Sequence, residues 1–219
     1  MGWLKEKKEV LTAARRMVEK GLVTGTAGNV SVRLNVTRSR SLLVITPSSR
    51  DYNSLAPDDI QILDFNAKKV EGDLPPSVET ALHIAIYRAR KEVNAIIHTH
   101  SVYATAAAVA GLTIPPILDE QVAYLGGEIK CAVYTPSGTP ELANNVVVAL
   151  GNCKAVLLAN HGVVGTGENM PDAFHTAELL EKTAQVFLLA LAAGKVTTLS
   201  AEAEAAARTI YEKSRNAGV

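Results

Sequence analysis

The alternation of apolar and polar positions changes period repeatedly along the chain. Leu4, Leu11, Ala14 and Val18 recur at helical spacing, predicting an amphipathic helix over 3–20 that Gly21 stops. After a turn holding Gly25, Gly28 and Asn29, the run Val30 to Val36 alternates as a half-buried strand does. Leu42 to Thr46 reads as a second strand ended by Pro47-Ser48-Ser49, and Gln61–Phe65 with Lys69–Val70 as a hairpin around Asn66. Residues 77–91 read as a helix with Ser77 as its N-cap, Val93 to Thr99 as a strand, and 101–110 as a short Ala-rich helix. The pattern assigns nothing to Ile117–Gly127. Strands at Ile129–Tyr134 and Ala155–Leu158 bracket a helix over 139–151 that Gly151 closes. A long helix covers Pro171–Ala193, with proline suited to its first turn, and a last one covers 200–215. Helices and strands are interspersed without repeats or low-complexity linkers, which predicts one layered α/β domain over residues 1–219.

Composition narrows the partners. At 219 residues and 47% hydrophobic, the chain can bury a substantial core. Its 22 basic and 22 acidic residues leave no basic excess for nucleic acid or an anionic membrane, so any bound anion must be held by local geometry. Cys131 and Cys153, without a secretory signal, suggest no disulfide framework. Residues 1–20 are charged and periodic, unlike a signal peptide, and the Ala-rich stretches at 104–110 and 184–194 are too short or too polar-flanked to span a bilayer. A cytoplasmic protein is the expectation.

Chemistry is concentrated in the histidines, of which there are five. His98 and His100 end a predicted strand, where period-two alternation turns both rings to one face. The preceding Ala95-Ile96-Ile97 marks that strand as buried, and unpaired imidazoles would be costly there. His161 ends another apolar run and precedes Gly162, which allows a sharp turn and close approach. With the carboxylate of Glu79, expected in the first turn of its helix, these three rings form the donor set of a catalytic zinc site with open positions. Manganese or cobalt would also suit the histidines. His83, four residues after Glu79, shares its helix face and could form a rival metal pair with it, but reads as a packing or supporting residue, and His175 as a structural one. Gly25-Thr26-Ala27-Gly28-Asn29 lacks the lysine of a P-loop, but its glycines could turn backbone N–H groups toward an anion. Thr26, Asn29, Ser48, Ser49 and Ser77 offer side-chain donors; composition alone leaves an anion site and a set of ordinary turns equally open.

Taken together, Gly21-Leu-Val-Thr-Gly-Thr-Ala-Gly-Asn-Val-Ser-Val-Arg33, Ile45-Thr-Pro-Ser, Ser77-Val-Glu79, His98-Thr-His100 and Asn160-His161-Gly162 resemble the class II aldolase/adducin-head family over nearly the whole chain. The resemblance implies a three-layer α/β/α sandwich around a largely antiparallel sheet, and a homotetramer with active sites between subunits. It implies zinc held by His98, His100 and His161, with Glu79 as both acid/base residue and metal ligand. It places phosphate contacts at Gly28, Asn29, Ser48, Ser49 and Ser77. The implied reaction is reversible cleavage of a ketose 1-phosphate into dihydroxyacetone phosphate and an aldehyde through a metal-stabilised enediolate. Glu79 would then need a raised pKa, which burial could provide. Epimerases, dehydratases and decarboxylases of sugar phosphates share the scaffold, as does the non-catalytic adducin head. The sequence departs from the family's aldolases at four places. Ser49 replaces a glycine, Val78 replaces a serine, and Glu120 and Ala217 stand where tyrosines are expected, with Tyr211 a candidate replacement.

Overall fold

The structure, a computed structural model, describes residues 2–37 and 41–217, with the side chains of the last helix through Lys213. Its centre is an eight-stranded sheet in the order β4-β3-β2-β1-β5-β8-β7-β6. The strands are β1 (Asn29–Asn35), β2 (Ser41–Ile45), β3 (Gln61–Asp64), β4 (Lys69–Glu71), β5 (Ala95–Thr99), β6 (Cys131–Ala132), β7 (Ala155–Leu158) and β8 (Gly162–Gly167). Every pairing is antiparallel except β6 with β7. The helices are α1 (Leu4–Glu19), α2 (Thr80–Ala89), α3 (Val102–Val109), α4 (Pro140–Leu150), α5 (Met170–Ala192) and α6 (Ala201–Ala217).

The period-two pattern sorts the core into two halves. Val30, Val32, Val44, Ala95 and Ile97 face α1 and the start of α5, where Val10, Ala14, Met17, Phe174 and Ala177 are buried. Leu43, Ile45, Ile96, Val156 and Val164 face α2 and α4. Farther along the first face, Leu157 and Val163 pack with α3 and the rest of α5. Helices therefore cover both faces, giving the three layers expected.

Boundary differences have local causes. Ser77 is not the N-cap of α2: Glu79 occupies that position, and Ser77 instead accepts the Glu79 N–H while its carbonyl accepts from Thr80. Of the strand expected over 129–134 only Cys131–Ala132 joins the sheet, as a short parallel edge, while Ile129 makes an isolated antiparallel bridge to Ile114. The unassigned stretch holds one π-helical turn, Gln121–Leu125. Strand β8 has no counterpart in the sequence reading, since three glycines in six residues argue against a strand. Helix proximity explains two of them: a Cβ at Gly167 would lie 2.8 Å from the Ala173 Cα, and one at Gly165 3.1 Å from Thr176 Cγ2. His175 is exposed rather than packed inside; it meets the ring of Tyr124 edge-on, while Phe174 and Ala177 take the inward positions.

Candidate metal centre and active-site cavity

Strand pairing brings the site together. Asn29 of β1 lies opposite His98 of β5, and β5 runs antiparallel to β8, whose first residue follows His161. A tight turn between β7 and β8 holds Asn160 at φ 54 and delivers the His161 ring beside the other two. Glycine is required next: a Cβ at Gly162 would sit 2.5 Å from the Thr99 carbonyl and 2.6 Å from His100 Cδ2.

The donor atoms converge. His98 Nε2 lies 3.0 Å from His100 Nε2 and 3.0 Å from Glu79 Oε2, while His161 Nε2 lies 3.2 Å from Glu79 Oε1. One nitrogen from each ring falls within 4.8 Å of the others, so the three histidines could hold a metal ion. The donor chemistry fits one. His98 Nδ1 donates to the Val163 carbonyl at 2.9 Å, which leaves Nε2 as the lone pair aimed at the cluster. Ligand atoms about 3.3 Å apart are what a tetrahedral ion with bonds of roughly 2.0 Å demands. Glu79 Oε1 is buried without a hydrogen-bond partner, although the imidazole of His161 is close.

The electrostatics keep His100, His161 and Glu79 in ligating form, whereas at His98 burial is outweighed by the Glu79 carboxylate and the Val163 carbonyl, which raise its pKa. Burial pulls His100 down to about 4, and the charges of His98 and His161 add to it. Burial lowers His161 as well. For Glu79, burial works to raise the carboxyl, but His98, His161 and the Asn29 amide outweigh it and hold the pKa well below the ordinary carboxylate value. The expected upward shift of Glu79 is therefore not what this arrangement produces, because its partners are polar and near.

A cavity of about 160 Å³ opens beside the cluster. It is lined by Glu79, His98, His100 and His161 together with Thr26, Gly28, Asn29, Ser48, Ser49 and Ser77, so the expected metal ligands and the expected phosphate contacts meet there. Among the described residues no lysine or arginine is in the lining. The N–H groups of Ala27, Ser48 and Ser77 bond to the carbonyls of Thr24, Pro75 and Thr46. At Gly28, φ is +75 and a Cβ would fall 2.6 Å from the His98 carbonyl. Ser49 stands at φ 54, in the left-handed region that favours glycine.

Ser137 was missed in the sequence. It lines the cavity, with Oγ 3.4 Å from His161 Nε2. A signal existed: Thr135-Pro136-Ser137-Gly138 repeats the Thr-Pro-Ser turn of Thr46-Pro47-Ser48. Neither tyrosine substitute reaches the cavity. Glu120 pairs with Lys182 at 2.6 Å, and the buried Tyr211 donates to the Asn152 carbonyl. The side chain of Ala217 lies outside the described residues.

Comparison with known proteins agrees with this geometry. The model for the class II aldolase and adducin N-terminal domain matches residues 8–188. The chain is 36% identical over 183 residues to 5-deoxy-D-ribulose 1-phosphate aldolase of Bacillus thuringiensis serovar kurstaki, covering 84% of each chain. It is 38% identical over 185 residues to L-fuculose phosphate aldolase of Escherichia coli K12, covering 84% of this chain and 83% of that one. Among solved structures, an L-fuculose 1-phosphate aldolase superimposes with a TM-score of 0.90 at 34% identity, over 95% of this chain and 96% of the other. The L-fuculose-1-phosphate aldolase of Thermus thermophilus gives a TM-score of 0.70 at 29% identity, over 88% and 97%.

Proposed function

The chain belongs to the class II aldolase and adducin N-terminal domain family, and from that premise we propose that it is a zinc-dependent aldolase. Its reaction is the reversible cleavage of a ketose 1-phosphate of the L-fuculose 1-phosphate kind into dihydroxyacetone phosphate and an aldehyde. The observation that carries this reading is the meeting of three imidazole Nε2 atoms and the Glu79 carboxylate at the floor of a cavity walled by hydroxyls. The names of two relatives, an L-fuculose phosphate and a 5-deoxyribulose 1-phosphate aldolase, support the substrate class.

In this reading His98, His100 and His161 hold the zinc and Glu79 is a further ligand in the resting enzyme. Zinc supplies a Lewis acid that stabilises enediolate charge by several kcal/mol. Gly28 gives the phosphate room, and Thr26, Asn29, Ser48, Ser49 and Ser77 bind it, fixing the reacting carbons relative to Glu79. The described residues put no cationic side chain in the lining, so in this reading neutral donors solvate the phosphate. Glu79 carries the proton to and from the carbon next to the carbonyl. As its carboxylate turns from the histidines toward substrate, the contacts that lower its pKa lengthen and burial, which raises it, gains weight.

We read the chain as a single domain that assembles as a homotetramer with sites at subunit interfaces. Val78, at the cavity wall, is 64% exposed, and Val133 and Tyr134 are exposed apolar neighbours in sequence to the Ser137 loop; a second subunit would cover such groups. Sedimentation at micromolar concentration checks the assembly, with a monomer overturning it. Among the described residues no helix is long and apolar enough to cross a membrane, which fits a cytoplasmic enzyme.

The deciding experiment incubates the protein with a panel of phosphorylated ketoses and identifies the products. Dihydroxyacetone phosphate should form, chelation should abolish it, and zinc should restore it. Activity surviving thorough metal removal, or products of epimerisation, dehydration or decarboxylation, would refute the assignment.

A further inference from the structure

Behind the cavity, a buried hydrogen-bonded chain runs along the seam between β1 and α2. Strand spacing puts Asn29 and Ser31 on one face of β1. Helical spacing puts Glu79, His83 and Tyr87 on one face at and beyond the start of α2. The two ladders interlock. Asn29 Nδ2 donates to Glu79 Oε2 at 3.0 Å, Asn29 Oδ1 lies 2.5 Å from His83 Nε2, and His83 Nδ1 lies 2.6 Å from Ser31 Oγ. Tyr87 closes the chain, its hydroxyl 2.8 Å from Ser31 Oγ and 3.1 Å from the Ser31 carbonyl. His83, Ser31 and Tyr87 are fully buried, and Asn29 is 5% exposed.

The pattern of donors and acceptors has one consistent solution. Ionised Glu79 only accepts, so the nitrogen of the Asn29 amide must face it. The amide oxygen is then committed to His83, whose Nε2 must carry the hydrogen. His83 Nδ1 is left as an acceptor, filled by the Ser31 hydroxyl. If Nδ1 carried the hydrogen instead, the unprotonated Nε2 would face the amide oxygen, acceptor against acceptor at 2.5 Å, and the ring would no longer hold the amide in the orientation that Glu79 needs. Complete burial holds the imidazole neutral, with its pKa lowered to about 3. The usual reading of such a histidine is packing, but packing does not require a donor at one end of the ring and an acceptor at the other.

We propose that His83 is a positioning residue: as the Nε2–H tautomer anchored by Ser31, it fixes the orientation of the Asn29 amide and through it the resting place of the Glu79 carboxylate. The consequence for catalysis rests on the aldolase reading above; the tautomer and the amide orientation do not. A glutamine places an amide nitrogen about where Nε2 stands, whereas an asparagine reaches only as far as Nδ1.

The test compares His83→Gln with His83→Asn in the zinc-loaded enzyme. The glutamine variant should keep kcat within a few-fold of the parent. The asparagine variant should lose roughly 10–100-fold in kcat, the scale for groups that support metal ligands, with KM and zinc content nearly unchanged. Equal kcat in the two variants, or a loss confined to KM, would overturn the positioning role. A second readout needs no activity. In 15N-histidine spectra of the parent protein at pH 7, the resonances that vanish in His83→Gln should be those of an Nε2–H tautomer. A charged or Nδ1–H ring at that position would overturn the proposal even in an active enzyme. An inactive parent protein would defeat the aldolase reading, while the spectra would still decide the His83 assignment.

Discussion

Replacing Gly162 with alanine should strike the metal centre without touching a ligand. The added methyl carbon would lie 2.6 Å from His100 Cδ2, 3.1 Å from His98 Cε1 and 2.5 Å from the Thr99 carbonyl oxygen. Carbon atoms pack at about 3.5–4.0 Å, so the His100 ring must retreat by about 1 Å, or the backbone of β5 must shift by a similar amount. Metal coordination tolerates about 0.2 Å. Zinc affinity should therefore fall at least 10–100-fold, and kcat/KM by about 100-fold. Overpacking should also cost about 1–3 kcal/mol of stability, or roughly 2–12 °C in Tm for a chain of this size. Gly165→Ala is the matched control, because its methyl would meet Thr176 Cγ2 at 3.1 Å and the backbone nitrogen of Ala177, both on α5. It should destabilise the fold and leave zinc affinity intact. Competition against a chromophoric chelator measures the affinity, and melting of the chelated proteins measures the stability. A folded Gly162→Ala protein that binds zinc as tightly as the parent would refute this account of why glycine follows His161.

Glu79→Gln should retain zinc and phosphate yet lose exchange of the dihydroxyacetone phosphate proton by about 10²–10⁴-fold, followed by NMR in deuterated water; undiminished exchange would place the base elsewhere. Glu181 accepts the N–H groups of Tyr103 and Ala104 at 2.9 Å each, satisfying the first turn of the helix that follows His100. Glu181→Ala should therefore cost about 1–2 kcal/mol in urea unfolding and speed amide exchange at those two residues. Because burial lowers His83 from 6.5 to about 3, the folded state binds fewer protons than the unfolded state between those pH values. The stability from neutral His83 is complete above pH 6.5 and falls as pH drops toward the folded pKa, by about 2 kcal/mol at pH 5. Chelated parent protein should thus lose about 2 kcal/mol more than His83→Gln between pH 7 and pH 5, and identical losses would show that the ring is protonated in both states.

The chain by itself determined most of the architecture and the identities of the reactive groups. Period-two and helical spacing located α1, α5 and the strands β1, β2, β5 and β7, because the side chains that alternate are those that must leave water. Glu79, His98, His100 and His161 were legible because carboxylates and imidazoles are scarce in apolar surroundings and expensive there without a task. What depends on distant neighbours could be settled only by the tertiary structure. β8 is a strand because α5 lies against its glycines, not because its residues favour extension. The Glu79 carboxyl is lowered rather than raised because two imidazoles and the Asn29 amide from other elements surround it. Ser137 joins the cavity, Tyr211 stays out of it, and His83 acquires two defined partners through packing between segments remote in sequence. Local pattern reports how each residue meets water; the partner a buried polar atom finds is fixed by the three-dimensional arrangement, because hydrogen bonds and charges act over a few ångströms in space.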